Sequence, residues 1–446
     1  MTTLDGGPGR PGDAVFADAV RTANLAAPAE PAAAVTVRSA REAEAAIRFA
    51  RANGMSVRVH TTGHAAATQL PMAGALLVRT DLAEPVTVDA ENLVARVPAG
   101  AVWREVVTTA ARHQLAAVHP IAPSVGVVGY LTRGGVGVHG RARGVAANAV
   151  RAFDLVTADG ASRRVDAASD PELFDALRGG GGGFGIVTAV ELALFPLASL
   201  VTGAAYWSLE HADQLVPLWR DWTVDAPREA TTTLRILSGP AVAWAPGPVL
   251  CVAGAVIGGS AAASDADDLL DPLRAVAAPL RDTWHADGPA AALFAHEHPA
   301  GPRRTVGDHL LLDEIGRDGV TEFLRVAGEG SGSPLLAAEL RHLGGALAEP
   351  DPAGGLLDHI DAQFAYVGTG SAADPTITAA AVEHSAVVRA ALSPWDVGTT
   401  VPSMVATRTQ PQGHLDASRA LRAEAVRARV DPDGLFAGDV LPGSPG

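Results

Sequence analysis

The chain has 446 residues, 48% of them hydrophobic and 19% charged, a composition that folds and is long enough for two domains. Its formal charge is −15, from 34 basic and 49 acidic side chains, and no basic run is present to track a nucleic-acid backbone. Every basic residue is arginine, which excludes a lysine Schiff base and a Gly-Lys phosphate loop; the single Cys251 excludes an internal disulfide, an iron–sulfur cluster and a cysteine-rich zinc site.

Residues 1–13 lack a charged segment followed by an apolar one, so no secretory signal is read and a cytoplasmic location is expected. Ser39-Ala40-Arg41-Glu42 is a capping box that opens a helix with Ala43, Ala46, Ile47 and Ala50 on one face, and Gly54 suits a left-handed cap. The strand Met55–Val59 runs into Thr61-Thr62-Gly63-His64. Strands over Val86–Val88 and Leu93–Val97, then a helix over Trp103–His113, lead to a glycine-rich stretch at 124–144. Asp170-Pro171-Glu172 starts a helix carrying Leu173, Phe174 and Leu177, which ends in five glycines, Gly179–Gly183, before a buried strand over Ile186–Leu194.

Beyond Pro196 the texture changes to longer loops, with tryptophans and strand-then-helix pairs such as Val249–Gly259 and Ala261–Ala277, and a domain boundary is placed there. The uncharged stretch Ile236–Ser264 is long enough to span a bilayer, but three prolines and five glycines interrupt it, so it reads as strand-turn-strand. An arginine-rich helix over Asp416–Val430 closes with Asp431-Pro432-Asp433-Gly434-Leu435-Phe436.

Two glycine patterns, Gly135/Gly137/Gly140 and Gly180/Gly182/Gly185, match G-x-G-x-x-G. Neither follows a strand and opens a helix, so neither supports a nicotinamide site. His296-Glu297-His298 begins like a zinc-protease helix, but Pro299 interrupts and Ala300 stands where the second ligand belongs; the segment reads as a solvated loop, with no metal site expected.

In order along the chain, four segments resemble the vanillyl-alcohol-oxidase superfamily, in the branch of berberine bridge enzyme and the bacterial hydroxynicotine oxidases. They are Val57–His64, Pro123–Tyr130 with Gly134-Gly135-Val136-Gly137, Leu177–Thr188, and the closing Asp431–Phe436. The resemblance implies an α+β chain: a two-lobed PCMH-type FAD-binding domain plus an antiparallel-sheet substrate domain covered by helices. Its expected divisions are 1–196, 197–407 and a return at 408–446. Glycine-rich turns suit a diphosphate because they present backbone N–H donors without side-chain obstruction. The residues placed against FAD are His60, Thr61, Thr62, Gly63, His64 and Ala65; Ser124, Val125, Gly126, Gly129 and Tyr130; Gly134, Gly135 and Gly137; and Gly185, Ile186 and Val187.

The family implies one covalent link, from His64 to the flavin 8α-methyl group, although a histidine after glycine would also serve as a phosphate contact. Ala122 stands where doubly linked relatives carry a cysteine, so no second bond is expected. Further departures are Gly183 and Gly434 in place of asparagines, and Val401 and Ser403 where relatives carry Tyr-x-Asn after the Pro394-Trp395 pair. The implied reaction removes a hydride from a C–H next to O or N of a small molecule, with dioxygen reduced to hydrogen peroxide. A bacterial secondary metabolite is the expected substrate, and Val125 sits where oxygen-reactive relatives carry a small β-branched residue. A flavin dehydrogenase and a non-redox cyclase or lyase on the same fold are the alternatives. Tyr130 is the candidate at the reacting face, and Glu349 falls near the carboxylate base of plant members, though an exposed loop residue is the competing reading. Arg341, His342, His359 and Tyr366 lie on neighbouring candidate strands beside Leu343–Ala346, itself similar to a family strand; alternation turns only some of them to the site. Small molecule and dioxygen are the expected partners, without nucleic acid or membrane; oligomeric state is not legible.

Overall fold

Ser39 accepts the Glu42 amide at 3.3 Å and starts helix Ala40–Ala52, while the Glu42 carboxylate reaches one residue beyond a capping box, to the Arg38 amide at 2.7 Å. The computed structural model describes residues 7–295 and 301–440. The helix lays Ala43, Ala46, Ile47 and Ala50 on a parallel sheet in the order Ala33–Val37, Ala75–Thr80, Ser56–His60. It supplies the crossover that two parallel strands require. A second, antiparallel sheet follows in the order Thr87–Asp89, Val94–Pro98, Ile186–Ala193, Val150–Val156, Ser162–Val165. Its long strand Ile186–Ala193 serves two cores: Ile186 packs with Val57, Leu435 and Phe436, and Val187 with Val127, Tyr130 and Leu131.

Residues 200–371 build a separate eight-stranded antiparallel sheet, whose central strands are Leu200–Ser208, Val249–Val256, Ala230–Leu237, Leu335–His342, Phe364–Ser371 and Thr305–Leu312, in that order. Helices Ala212–Asp225, Ala262–Val276, Gly316–Ala327 and Pro375–Leu392 cover one face, burying Trp207, Ile236, Val252, Leu340, Phe364 and Tyr366 beneath Trp219, Leu269 and Phe323. Alternation sends the residues between them to the other face. There the register aligns Tyr206, Cys251, Arg235, Glu339, Val367 and His309 in one row across six strands.

Helix Ala417–Val430 then carries the chain back, capped by Asp416 on the Arg419 amide at 2.8 Å. The turn after it is tied by Asp431, whose carboxylate accepts from the Leu435 and Phe436 amides at 2.8 and 2.7 Å. The Leu435 carbonyl in turn accepts from Val57 of the first lobe at 2.8 Å.

Two readings of the chain are corrected. Leu343–Ala346 is not a strand: Gly344 (φ +71°) and Gly345 (φ +56°) turn the backbone into a short 3-10 helix, Gly345–Leu347. His359 is off the sheet as well, in the loop before Phe364, where it bonds Asp358 at 2.8 Å. Ile236–Ser264 is strand, turn and strand as read, namely the end of one strand, a short 3-10 helix and a second strand, followed by the start of a helix, and no helix among the described residues is long and apolar enough to cross a membrane. The His296–Ala300 segment lies outside the described residues.

Candidate cofactor and substrate site

Strand Ser56–His60 delivers the chain into a tight turn, Thr61–Ala65. Gly63 (φ +67°) makes that turn, and it also admits Thr22, whose Cα would stand 2.8 Å from any added Cβ. The amides of Thr62, Gly63, His64 and Ala65 find no acceptor among the described residues. Their residues rim a cavity of about 160 Å³, which shares Val59, His60, Thr61, Gln69, Gly129 and Arg133 with a second of about 120 Å³, so that the two form one groove.

The deep end of the groove is walled by the glycine run. Gly182, Gly183 and Gly185 all have positive φ (+100°, +86° and +138°), and a Cβ on Gly182 would come within 2.6 Å of the Asp439 carbonyl. Arg427 of the last helix holds the run from behind, donating from Nε to the Gly182 carbonyl at 3.0 Å and from Nη2 to that of Gly180, with its guanidinium over the Phe184 ring. The floor is Asp439, which accepts from the Val59 amide at 3.0 Å and from Gln69 Nε2 at 3.2 Å. Burial pushes its carboxyl up to about 7, against the lowering pull of Val59, Arg58 and Arg133. Asp439, Arg133 and Gln69 stand outside the glycine motifs, so motif reading missed them; the closing motif that delivers Asp439 was the available signal.

The shallow end holds Tyr130, Val125, Ser403 and Val405. Helix Val127–Thr132 sets the tyrosine ring edge-on to Trp103, centroids 5.5 Å apart. The Tyr130 hydroxyl and the Ser403 hydroxyl are both buried without a partner. Burial raises the Tyr130 phenol well above its ordinary value, with the nearby Arg341 charge acting the other way.

Most of the residues expected at FAD are brought together here: His60 through Ala65, Val125, Gly126, Gly129, Tyr130, Gly185 and Val187 all line the groove. His64 bonds Thr62 Oγ1 through Nδ1 at 2.7 Å, which leaves Nε2 as its uncommitted nitrogen, and desolvation lowers its pKa so that the ring is neutral. Five of the expected residues do not line the groove. Ser124 is exposed and stands outside both cavities. Gly134, Gly135 and Gly137 also stand outside both cavities and are close-packing positions: added Cβ atoms would strike Leu357 at 2.5 Å, the Tyr130 ring at 2.5 Å and Val118 at 2.6 Å. Ile186 is wholly buried in the first lobe's core.

Glu349 is not brought to this wall. Its side chain is 64% exposed and pairs with Arg228 at 2.9 Å. On the eight-stranded sheet, alternation turns His342 to the helix side, against Phe364 and Trp222, and Tyr366 likewise toward Phe323. Of the four candidates named there, Arg341 alone turns to the face opposite the helices, beside Ala365 of the core that contains Tyr130.

A flavin dinucleotide fits this donor set: turn amides without acceptors among the described residues for a diphosphate, and buried hydroxyls without partners in the same cavity. Residues 31–166 match the FAD binding domain family. The chain is 30% identical over 222 residues to the FAD-dependent monooxygenase prx3 of Penicillium roqueforti, covering 48% of this chain and 42% of that one. It is 32% identical over 171 residues to (R)-6-hydroxynicotine oxidase of Paenarthrobacter nicotinovorans, covering 38% and 37%. Matches of this kind span less than half the length of those relatives. The solved structure of BBE-like 1 from Physcomitrella patens superposes with a TM-score of 0.83 at 17% identity, over 99% of this chain and 98% of that one. Residues 31–166 therefore carry an FAD-binding domain, and the chain as a whole shares the fold of that BBE-like structure. One wall of the groove, turn Thr61–Ala65 with Val125, Gly126, Gly129 and Tyr130, lies within the matched residues, the glycine run lies beyond them, and Leu311 and Ala365 of the eight-stranded sheet pack in the core that contains Tyr130.

Proposed function

We propose that the protein is an FAD-dependent oxidase of a small molecule, with one covalent flavin link through His64. The observation that carries this reading is the groove itself, where four turn amides that find no acceptor among the described residues and the buried, unpartnered Tyr130 and Ser403 hydroxyls line one cavity. FAD, when bound, accepts a hydride from a C–H next to O or N and passes both electrons to dioxygen, which with two protons becomes hydrogen peroxide. The amides of Thr62–Ala65 would hold the diphosphate, with Arg133 beside them as the cation. The neutral Tyr130 phenol keeps its proton at physiological pH and so donates a hydrogen bond to whatever occupies the shallow end. Trp103 and Gly135 fix its ring, so the hydroxyl is placed before a ligand arrives. The half-buried Val125 leaves room for a small gas molecule at that end.

The test needs no knowledge of the substrate. The flavin-loaded protein is photoreduced without oxygen and mixed with air-saturated buffer. An oxidase regains its yellow colour within seconds and yields one peroxide per flavin; recovery over many minutes without stoichiometric peroxide would assign the chain to dehydrogenase or non-redox use.

A further inference from the structure

The face of the eight-stranded sheet turned away from its helices carries a buried charged cluster that neither the cofactor groove nor the packing requires. Glu339, almost wholly buried, is held between two guanidiniums: its Oε1 accepts from Arg235 Nε at 2.9 Å, and its Oε2 accepts from Arg341 Nε at 3.1 Å and Nη2 at 2.8 Å. The three groups together carry one net positive charge. Apolar side chains in these positions would have closed the sheet face at less cost in desolvation, so the cluster asks for a function. Arg235 is committed to Glu339, but Arg341 is not exhausted. Its side chain is 25% exposed, and its Nη1 and the outer edge of the guanidinium donate to nothing among the described residues.

Two buried groups without partners feel the charge of that guanidinium. The Tyr130 hydroxyl is buried without a partner, as is Nδ1 of His309, whose Nε2 bonds the Thr400 hydroxyl; the Arg341 charge acts on both rings. His309 is wholly buried and neutral, and the other nearby cation, Arg389, is bonded to Asp308. On the side toward the groove, Ala365 and Leu311 lie beside Arg341 in register and pack with the core that contains Tyr130. A preorganised guanidinium edge next to a phenol that keeps its proton presents two donors to one planar group bearing two oxygens.

We infer that Arg341, braced by Glu339 and Arg235, and the Tyr130 hydroxyl form the site that receives a carboxylate of the substrate, so that this protein acts on a carboxylate-bearing small molecule. The inference rests on the proposal that the groove beside it holds FAD, and its test separates the two.

Acetate, benzoate and phenylacetate, each paired with its neutral amide, are titrated into the flavin-loaded protein while the visible flavin band and the thermal midpoint are followed. At least one carboxylate is expected to shift both, with its amide at least tenfold weaker. Arg341→Gln should weaken that carboxylate at least tenfold while flavin content stays unchanged, and Arg341→Lys should recover part of the loss. Amides that bind as well as their acids, no response to any carboxylate, or an Arg341→Gln protein that binds as wild type would each overturn the assignment. The acid–amide comparison needs no variant and stands even if Arg341→Gln fails to fold. A colourless protein would remove the flavin reading alone, and the thermal midpoint would still decide for or against the carboxylate site.

Discussion

Asp439 shows how one residue on the groove floor sets a pH dependence. Its carboxyl, raised to about 7 from an ordinary 3.8, keeps its proton in the folded chain over a range where the unfolded chain has lost it. Folding takes up a proton there, so the penalty for this residue is absent below about pH 4 and complete above about pH 7. Buried histidines slope the other way. His60 and His119, lowered by burial from 6.5 to about 4, favour folding above pH 6.5 and weaken it as pH falls toward 4. Subtracting the unfolding free energy of Asp439→Asn from that of wild type, pH by pH, cancels the histidines. The difference should fall steadily between pH 4 and 7, and a flat difference would mean that Asp439 is ionised throughout. At the same scale, motif reading marked glycines as places of close approach without saying what approaches. Gly182 meets the backbone of Asp439, whereas Gly135 meets the Tyr130 ring and Gly137 the His119 backbone. The partner is set by tertiary folding, which is why the motif alone did not say that Gly134, Gly135 and Gly137 pack against Leu357, Tyr130 and Val118.

Among the elements, the closing segment 431–440 does the most for the groove. Asp431 ties its turn, Leu435 pairs with Val57, and Gly438 leaves space for the Arg58 guanidinium, whose Cζ an added Cβ would overlap. Removing the Asp431 carboxylate strands two buried amides, so Asp431→Ala should cost about 2–3 kcal/mol in denaturant unfolding and loosen flavin retention. Asp433→Ala, which breaks only a solvent-exposed pair with Arg51, should cost under about 1 kcal/mol. Helices Ala40–Ala52, Pro171–Leu177 and Ala417–Val430 were legible because their caps are local: Ser39, Asp170 and Asp416 each accept from the amide three residues on. Alternation on Leu335–His342 was legible too, but its phase was not. Which of Arg341 and His342 meets the groove depends on which sheet face the helices cover, and that is settled by packing around Trp219, Leu269 and Phe323 far along the chain.

In the whole molecule, two bodies meet over one groove, and buried arginines hold the seam. Arg141 of the first lobe donates to the Ala230 and Ala226 carbonyls at 2.8 and 3.1 Å and to that of Leu343, satisfying edges of the eight-stranded sheet that would otherwise be stranded. The fold was readable as a whole because four short motifs, spread from Val57 to Phe436, converge on this groove. The substrate wall was not readable in the same way, since it is built by a cross-strand row whose members stand far apart in the chain. The central claim is that the groove holds FAD, bound through His64, and it is tested most directly by the visible spectrum of the purified protein before and after acid precipitation. A yellow protein is expected, with the colour kept in the acid pellet of wild type and released to the supernatant by His64→Ala. A colourless protein that takes up no FAD when it is supplied would contradict the account.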